Sequence, residues 1–202
     1  MAQALDGIRV LDLCHNGPGL FAGAILGDMG AEVIHIQDPR SLAERGGGDE
    51  GSAYARNNAD RRHPAYALNR NKRGLAINLK SEGGRELFYR LADVADVVLD
   101  GYRPGVMKRL GFDYETLSQR NPRIVCCSIS GFGQNGPYRN VVGHDLNYVS
   151  NAGGIAITGQ RGGAPQLPGF QFADFAGGTM HAVSGILFAL LARERTGRGQ
   201  YV

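Results

Sequence analysis

Short apolar runs alternate with amphipathic stretches along most of this chain, and polar, glycine-rich loops separate them. Residues 8–13 alternate and are rich in β-formers, which predicts a strand. Gly17-Pro18-Gly19 makes a turn, residues 20–29 carry apolar side chains at helical spacing, and Gly30 stops the helix. Residues 33–36 form a second strand. Periodicity then disappears from Asp38 to Arg70, a stretch rich in Gly, Arg, Asn and Asp. So long an irregular segment inside a domain is commonly functional.

The pattern resumes with a strand over 75–79. A helix opens at Ser81-Glu82 and carries Leu87, Leu91 and Val94. A strand over 97–99, a short helix from Pro104-Gly105 through Leu110 and a strand over 124–129 follow. Strands that alternate with helices predict an α/β fold, a Rossmann-like doubly wound parallel sheet whose ligand lies outside the carboxyl ends of the strands. Residues 131–172 are turn-rich with little regular structure expected. Asp174 is placed to cap a helix running to about Arg193, with Phe175, Val183, Ile186, Leu187, Leu190 and Leu191 as its buried face. The basic residues between Arg193 and Arg198 suit the negative end of that helix. The last residues, Tyr201-Val202, read as the approach to a new strand with nothing to pair with, so the chain is expected to be the N-terminal part of a longer protein.

Composition narrows the function. The 202 residues carry 22 basic and 19 acidic side chains, a net charge of +3, which is too small a bias to argue for nucleic acid. Glycine, at 31 residues, is about twice its ordinary share of roughly 7%. Spread between apolar runs, it points to tight turns and close approach of backbone to a ligand. Cys14, Cys126 and Cys127 are odd in number and two are adjacent, which argues against a disulfide framework. No CxxC or HExxH spacing marks a metal site, so metal is expected to be absent. The start of the chain lacks a basic and apolar signal pattern, and no run reads as the ~18 apolar residues of a membrane span. The expected location is therefore cytoplasmic.

Chemistry concentrates in a few places. Gly143-His144-Asp145 and Ala173-Asp174-Phe175 each set a titratable group in a short loop beside apolar segments. An imidazole and a carboxylate so placed can flank one substrate carbon. Alternatively, the carboxylate can be a nucleophile whose neighbour orients the substrate. Taken singly, His144 as a structural histidine and Asp174 as a helix cap are the simpler readings. Gly17-Pro18-Gly19 fits both a structural turn and an anion site at a helix start. Asn69-Arg70-Asn71-Lys72-Arg73 and Gly101-Tyr102-Arg103-Pro104-Gly105 fall at predicted strand ends, with Lys80, Lys108 and Arg109 nearby in sequence; converging cations there suit a phosphorylated ligand, although each alone reads as surface charge. No GxSxG elbow is present, which disfavours a serine hydrolase.

Ordered blocks along the chain resemble the family III CoA-transferases, the group that includes the α-methylacyl-CoA racemases. They include residues 5–12, Gly27-Asp28-Met29-Gly30-Ala31-Glu32, Asn71-Lys72-Arg73, Ile77-Asn78-Leu79-Lys80, Tyr102-Arg103-Pro104-Gly105, Gly143-His144-Asp145 and Thr196-Gly197-Arg198-Gly199-Gln200. The resemblance implies that residues 1–202 are a Rossmann-like CoA-binding large domain, with 131–173 a glycine-rich active-site loop region and 174–195 the following helix. It implies a second, smaller domain largely outside this chain and an interlocked homodimer. No permanently bound cofactor, nucleic acid or membrane partner is expected, and a CoA thioester is the expected substrate. By position, Gly17, Pro18, Ile77, Asn78, Leu79, Lys80, Gly101, Tyr102, Arg103 and Arg109 would line the CoA site. Asp38 departs from the family, which usually has a basic residue there; His35 or Arg40 is the expected compensation.

Asp174 matches the family's essential aspartate and His144 the racemases' catalytic histidine, with Asp145 available to orient it. In racemases the two would remove and return an α-proton, the enolate oxygen meeting backbone N–H groups near Gly177-Gly178. In transferases Asp174 would attack the acyl-CoA and form covalent intermediates. A third reading, a CoA-binding scaffold without turnover, is prompted by the short chain and Asp38.

Overall fold

The computed structural model describes residues 2–39 and 67–202. Five strands, β1 (Arg9–Asp12), β2 (Glu32–Gln37), β3 (Lys72–Ala76), β4 (Val97–Asp100) and β5 (Val125–Ser128), form one sheet in the order β3-β2-β1-β4-β5. Every neighbouring pair is parallel. Strands buried on both faces need apolar side chains in both directions, which is why these segments read as apolar runs. Val10, Val33, Val97, Leu99, Val125 and Cys127 face one core, and Leu11, Leu13, Ile36, Val98 and Cys126 face the other. The adjacent cysteines therefore point to opposite faces, and all three are free and buried.

Helix α1 (Gly17–Asp28) lies on the first face. α2 (Glu82–Ala92), α3 (Val106–Leu110) and α4 (Tyr114–Arg120) follow on the chain, and the first and last of these contribute Phe88 and Leu117 to the second core. The α2 start is as predicted: Ser81 Oγ accepts from the Gly84 N–H at 3.1 Å. Its packed side is Phe88 and Ala92, while Leu87 and Val94 are exposed. The α4 helix was not foreseen.

Strand β3 begins three residues before the predicted one. Its polar start is held by partners across the sheet: Arg73 donates to Glu32 at 2.7 Å, and Lys72 reaches Asp12 at 2.8 Å. After Ala76 the chain turns, with Ser81 N–H donating to the Asn78 carbonyl at 3.1 Å. The end of the chain also differs from expectation. Tyr201 bridges Cys126 in parallel, and Val202 donates to the Cys126 carbonyl at 2.8 Å, so these residues pair with β5.

The 131–172 segment contains a helix, α5 (Asp145–Asn151), and a 3₁₀ turn over Gly154–Ile157. Asp174 is not an N-cap. It lies in a π-helix, Phe172–Thr179, that runs straight into α6 (Met180–Thr196). Together, Phe172–Thr196 spans 25 residues, long and apolar enough by composition to cross a membrane. Its inner face instead builds the first core through Ala182, Val183, Ile186, Ala189 and Leu190, while Leu187 and Leu191 are exposed rather than buried.

Candidate active site

Two clefts open at the carboxyl ends of the strands, where the direction of chain progression reverses between β1 and β4. The first has a volume of about 680 Å³. Ile77 and Leu79 give it an apolar wall, and Lys80, Arg109, Tyr102, His15 and Asp38 supply polar groups. His15 Nε2 stands 3.3 Å from the Tyr102 hydroxyl. Burial, aided by the Asp100 carboxylate, pushes the Tyr102 phenol up to about 12, which keeps it an O–H donor at neutral pH.

The second cleft, about 650 Å³, is lined by His144, Asp174 and Tyr148 together with Asn16, Gly17 and Pro18. Adjacent residues His15 and Asn16 line different clefts, so the two meet at the loop after β1. His144 immediately precedes α5, where the Asn147 carboxamide accepts its backbone N–H at 2.9 Å. Tyr148, one turn into α5, donates its hydroxyl to the Gly143 carbonyl at 2.5 Å and packs edge-on to Phe132 at 5.1 Å. A Cβ at Gly143 would stand 2.8 Å from that ring, and one at Gly131 would be driven onto it. These two glycines let the aromatic ring clamp the loops that carry His144.

Asp145 is buried, and its Oδ1 accepts the backbone N–H of Asp174 at 2.8 Å. The carboxylate thus ties the His144 loop to the π-helix. Desolvation pushes the Asp174 carboxyl above the ordinary range, Asp145 adds to the rise, and His144 opposes it. On the other side of the helix, Thr179 donates its hydroxyl to the Pro18 carbonyl at 2.7 Å, and Phe21 meets Phe175 edge-on at 5.6 Å. Asp174 is therefore held from both the sheet side and the α5 side.

The sequence profile described as CoA-transferase family III matches residues 5–202. The chain belongs to this family. It is 39% identical over 198 residues to an acetyl-CoA:oxalate CoA-transferase of Acetobacter aceti, covering 98% of this chain and 49% of that protein. It is 36% identical over 200 residues to the human alpha-methylacyl-CoA racemase, covering 99% of this chain and 47% of that protein. Among solved structures, a CAIB/BAIF family protein from Brucella suis superposes with a TM-score of 0.83 at 37% identity, over 100% of this chain and 53% of that one. The chain thus spans about half the length of the relatives it matches.

Within this family III chain, the residues expected around CoA divide. Ile77, Leu79, Lys80, Tyr102 and Arg109 line the first cleft, and Gly17 and Pro18 line the second. The Asn78 side chain folds onto its own turn, its Oδ1 accepting from the Lys80 N–H at 3.1 Å. Arg103 lines a third, smaller cavity of about 280 Å³ with Lys108 and Tyr201. Gly101 lies behind Asn16. His35 is buried against Asp12, with its Nδ1 3.6 Å from Oδ2, and it does not line the first cleft; Arg40 lies outside the described residues. His15, Asn16 and Tyr148 were missed as site residues. Their signal was the position of Cys14-His15-Asn16 directly after the first strand, where α/β sheets bind ligands.

Proposed function

We propose that the protein carrying this chain racemises 2-methylacyl-CoA thioesters, with His144 and Asp174 as the acid/base pair. The observation that supports this reading is that an imidazole and a carboxyl of raised proton affinity line one cleft at the sheet's carboxyl edge. That cleft adjoins a second one bearing Lys80 and Arg109, suited to the phosphates of CoA. One group takes the α-proton, the electron pair passes into the thioester as an enolate, and the other group returns a proton to the opposite face. Raising the carboxyl's pKa toward neutrality makes it a stronger base and a usable acid. Asp145 contributes by holding the Asp174 backbone and by its charge, rather than by a bond to the imidazole.

The relatives of this chain include transferases as well as racemases, and this favours a second reading on the same residues. Here the Asp174 carboxylate attacks the thioester carbonyl and expels CoA thiolate, forming a mixed anhydride. The thiolate then attacks the aspartyl carbonyl, releasing the carboxylic acid and leaving an aspartyl-CoA thioester for the acceptor acid. The proposal extends to a homodimer, supported by the exposure of Phe188 and Leu191 on α6 and checked by light scattering.

Incubation with a 2-methylacyl-CoA in D₂O, followed by mass spectrometry, separates the readings. Racemisation predicts deuterium at the α-carbon without any acceptor, lost in His144→Ala and Asp174→Asn. Absence of exchange, with a new CoA thioester once an acceptor acid is added, refutes the racemase reading and supports transfer.

A further inference from the structure

An enolate or a tetrahedral adduct needs a hydrogen-bond donor at the former thioester oxygen. The backbone at Gly177-Gly178 does not provide it. Both residues lie inside the π-helix, whose pairing commits their N–H groups to carbonyls five residues back. The Asp174 N–H is taken by Asp145. A side-chain donor on the same cleft can supply it instead.

Asn16 has the geometry of one. It occupies the N-cap of α1, where an asparagine normally accepts from the second or third N–H of the helix. Pro18 at the second helical position removes the first of these, and the Asn16 side chain makes no cap hydrogen bond. The carboxamide lies instead across the crevice between the ends of β1 and β4. A Cβ at Gly101 would stand 3.0 Å from Oδ1, and one at Gly19 3.3 Å, so glycine on both sides gives the amide its room. Asn16 lines the same cleft as His144 and Asp174, and its neighbour His15 lines the cleft with Lys80 and Arg109. A pantetheine arm passing from one cleft to the other brings its thioester to this junction.

We propose that Asn16 is a catalytic residue whose carboxamide N–H donates to the thioester oxygen of the substrate and holds the negative charge that develops there. This rests on the acyl-CoA reading given above. As the α-proton moves to the base, charge appears on the oxygen; the amide donates throughout and neither gains nor loses a proton. The same bond serves the tetrahedral adduct in transfer.

The test compares Asn16→Ala and Asn16→Asp with wild type in the full-length protein. Asn16 is exposed and does not cap its helix, so neither substitution removes a fold contact. The expected result is a loss of about 10²–10³ in kcat for α-exchange or CoA transfer, with KM changed less than about threefold. Asn16→Asp, an acceptor that repels the enolate, should be no faster than Asn16→Ala. A second arm measures binding of an acyl-CoA and of an S-alkyl-CoA, which lacks the carbonyl. Asn16→Ala should weaken only the acyl-CoA. Wild-type protein that neither exchanges nor transfers defeats the acyl-CoA turnover reading, and the binding arm then judges Asn16 by itself. A wild-type rate in either variant, or equal changes in affinity for both ligands, overturns the assignment.

Discussion

Replacing Lys72 with methionine should be the most damaging conservative change outside the cleft. Lys72 Nζ lies 2.8 Å from Asp12 Oδ2 and 2.7 Å from the Leu20 carbonyl, with side-chain exposures of 2% and 0% for the lysine and the aspartate. At 2.8 Å and an effective dielectric near 20, the attraction is about 6 kcal/mol, which offsets the cost of burying both charges. Methionine keeps most of the volume and removes the charge, leaving Asp12 with the Cys14 N–H at 2.9 Å and the His35 imidazole at 3.6 Å. Breaking a buried pair by removing one partner costs about 3–5 kcal/mol, or a drop of about 6–20 °C in Tm for a chain of this size. The pH dependence carries a sign. In wild type, burial tends to raise the Asp12 pKa, but His35 and Lys72 outweigh it and the folded value is lowered. Its stabilisation is therefore present above the unfolded value of about 4 and lost as pH falls through the folded one. Without Lys72, the His35 imidazole is left to oppose burial, and the folded value rises from its wild-type position. The penalty relative to wild type therefore shrinks as pH falls through the variant's folded value. Urea unfolding at pH 7 and pH 4 measures both, and the penalty should be smaller at pH 4. Adding Asp12→Asn should restore much of the loss, because the amide keeps the Cys14 contact without a charge. A penalty below about 1 kcal/mol, or one independent of pH, refutes the reasoning.

Asp145→Asn keeps an acceptor for the Asp174 N–H but removes a charge that raises the Asp174 pKa, so the acidic limb of the pH–rate profile should move to lower pH. Asp145→Ala should also lose about 1–3 kcal/mol of stability by leaving that N–H unpaired, read from urea midpoints. Asp38→Asn removes a negative charge from the first cleft and should tighten CoA binding by up to about fivefold in calorimetry at low salt, the gain shrinking as salt is added. Gly131→Ala forces a methyl onto the Tyr148 ring and should cost about 1–3 kcal/mol while displacing the His144 loop, seen as reduced turnover and altered near-UV dichroism.

The sheet was legible because its strands are buried on both faces and therefore read as apolar runs separated by glycine turns. Ser81 as a cap and the two cores were legible for the same local reason. What escaped depends on contacts between distant residues. Lys72 and Asp12 are 60 positions apart, and their pairing, not local apolarity, starts β3 early. Val202 finds β5 across an equally nonlocal gap, so the terminal strand looked unpartnered. The α5 helix was hidden because Gly143-His144-Asp145 reads as loop, and Tyr148 stabilises it through distant contacts with Gly131 and Phe132 and a bond to the Gly143 carbonyl.

The π-helix is the most consequential of these departures. Apolar spacing around Asp174 fits an ordinary helix start, and the wider turn follows from restraints on both sides. Asp145 holds the Asp174 N–H from α5, and Thr179 is bonded to the Pro18 carbonyl at the start of α1. Widening the helix between those anchors turns Gly177 and Gly178 into paired interior residues while Asp174 stays on the cleft. The site therefore takes its carboxylate from the π-helix and its imidazole from the α5 loop. On the acyl-CoA reading proposed above, the oxyanion donor comes from elsewhere, and the loop after β1 is where Asn16, whose side chain makes no cap bond, lines the same cleft.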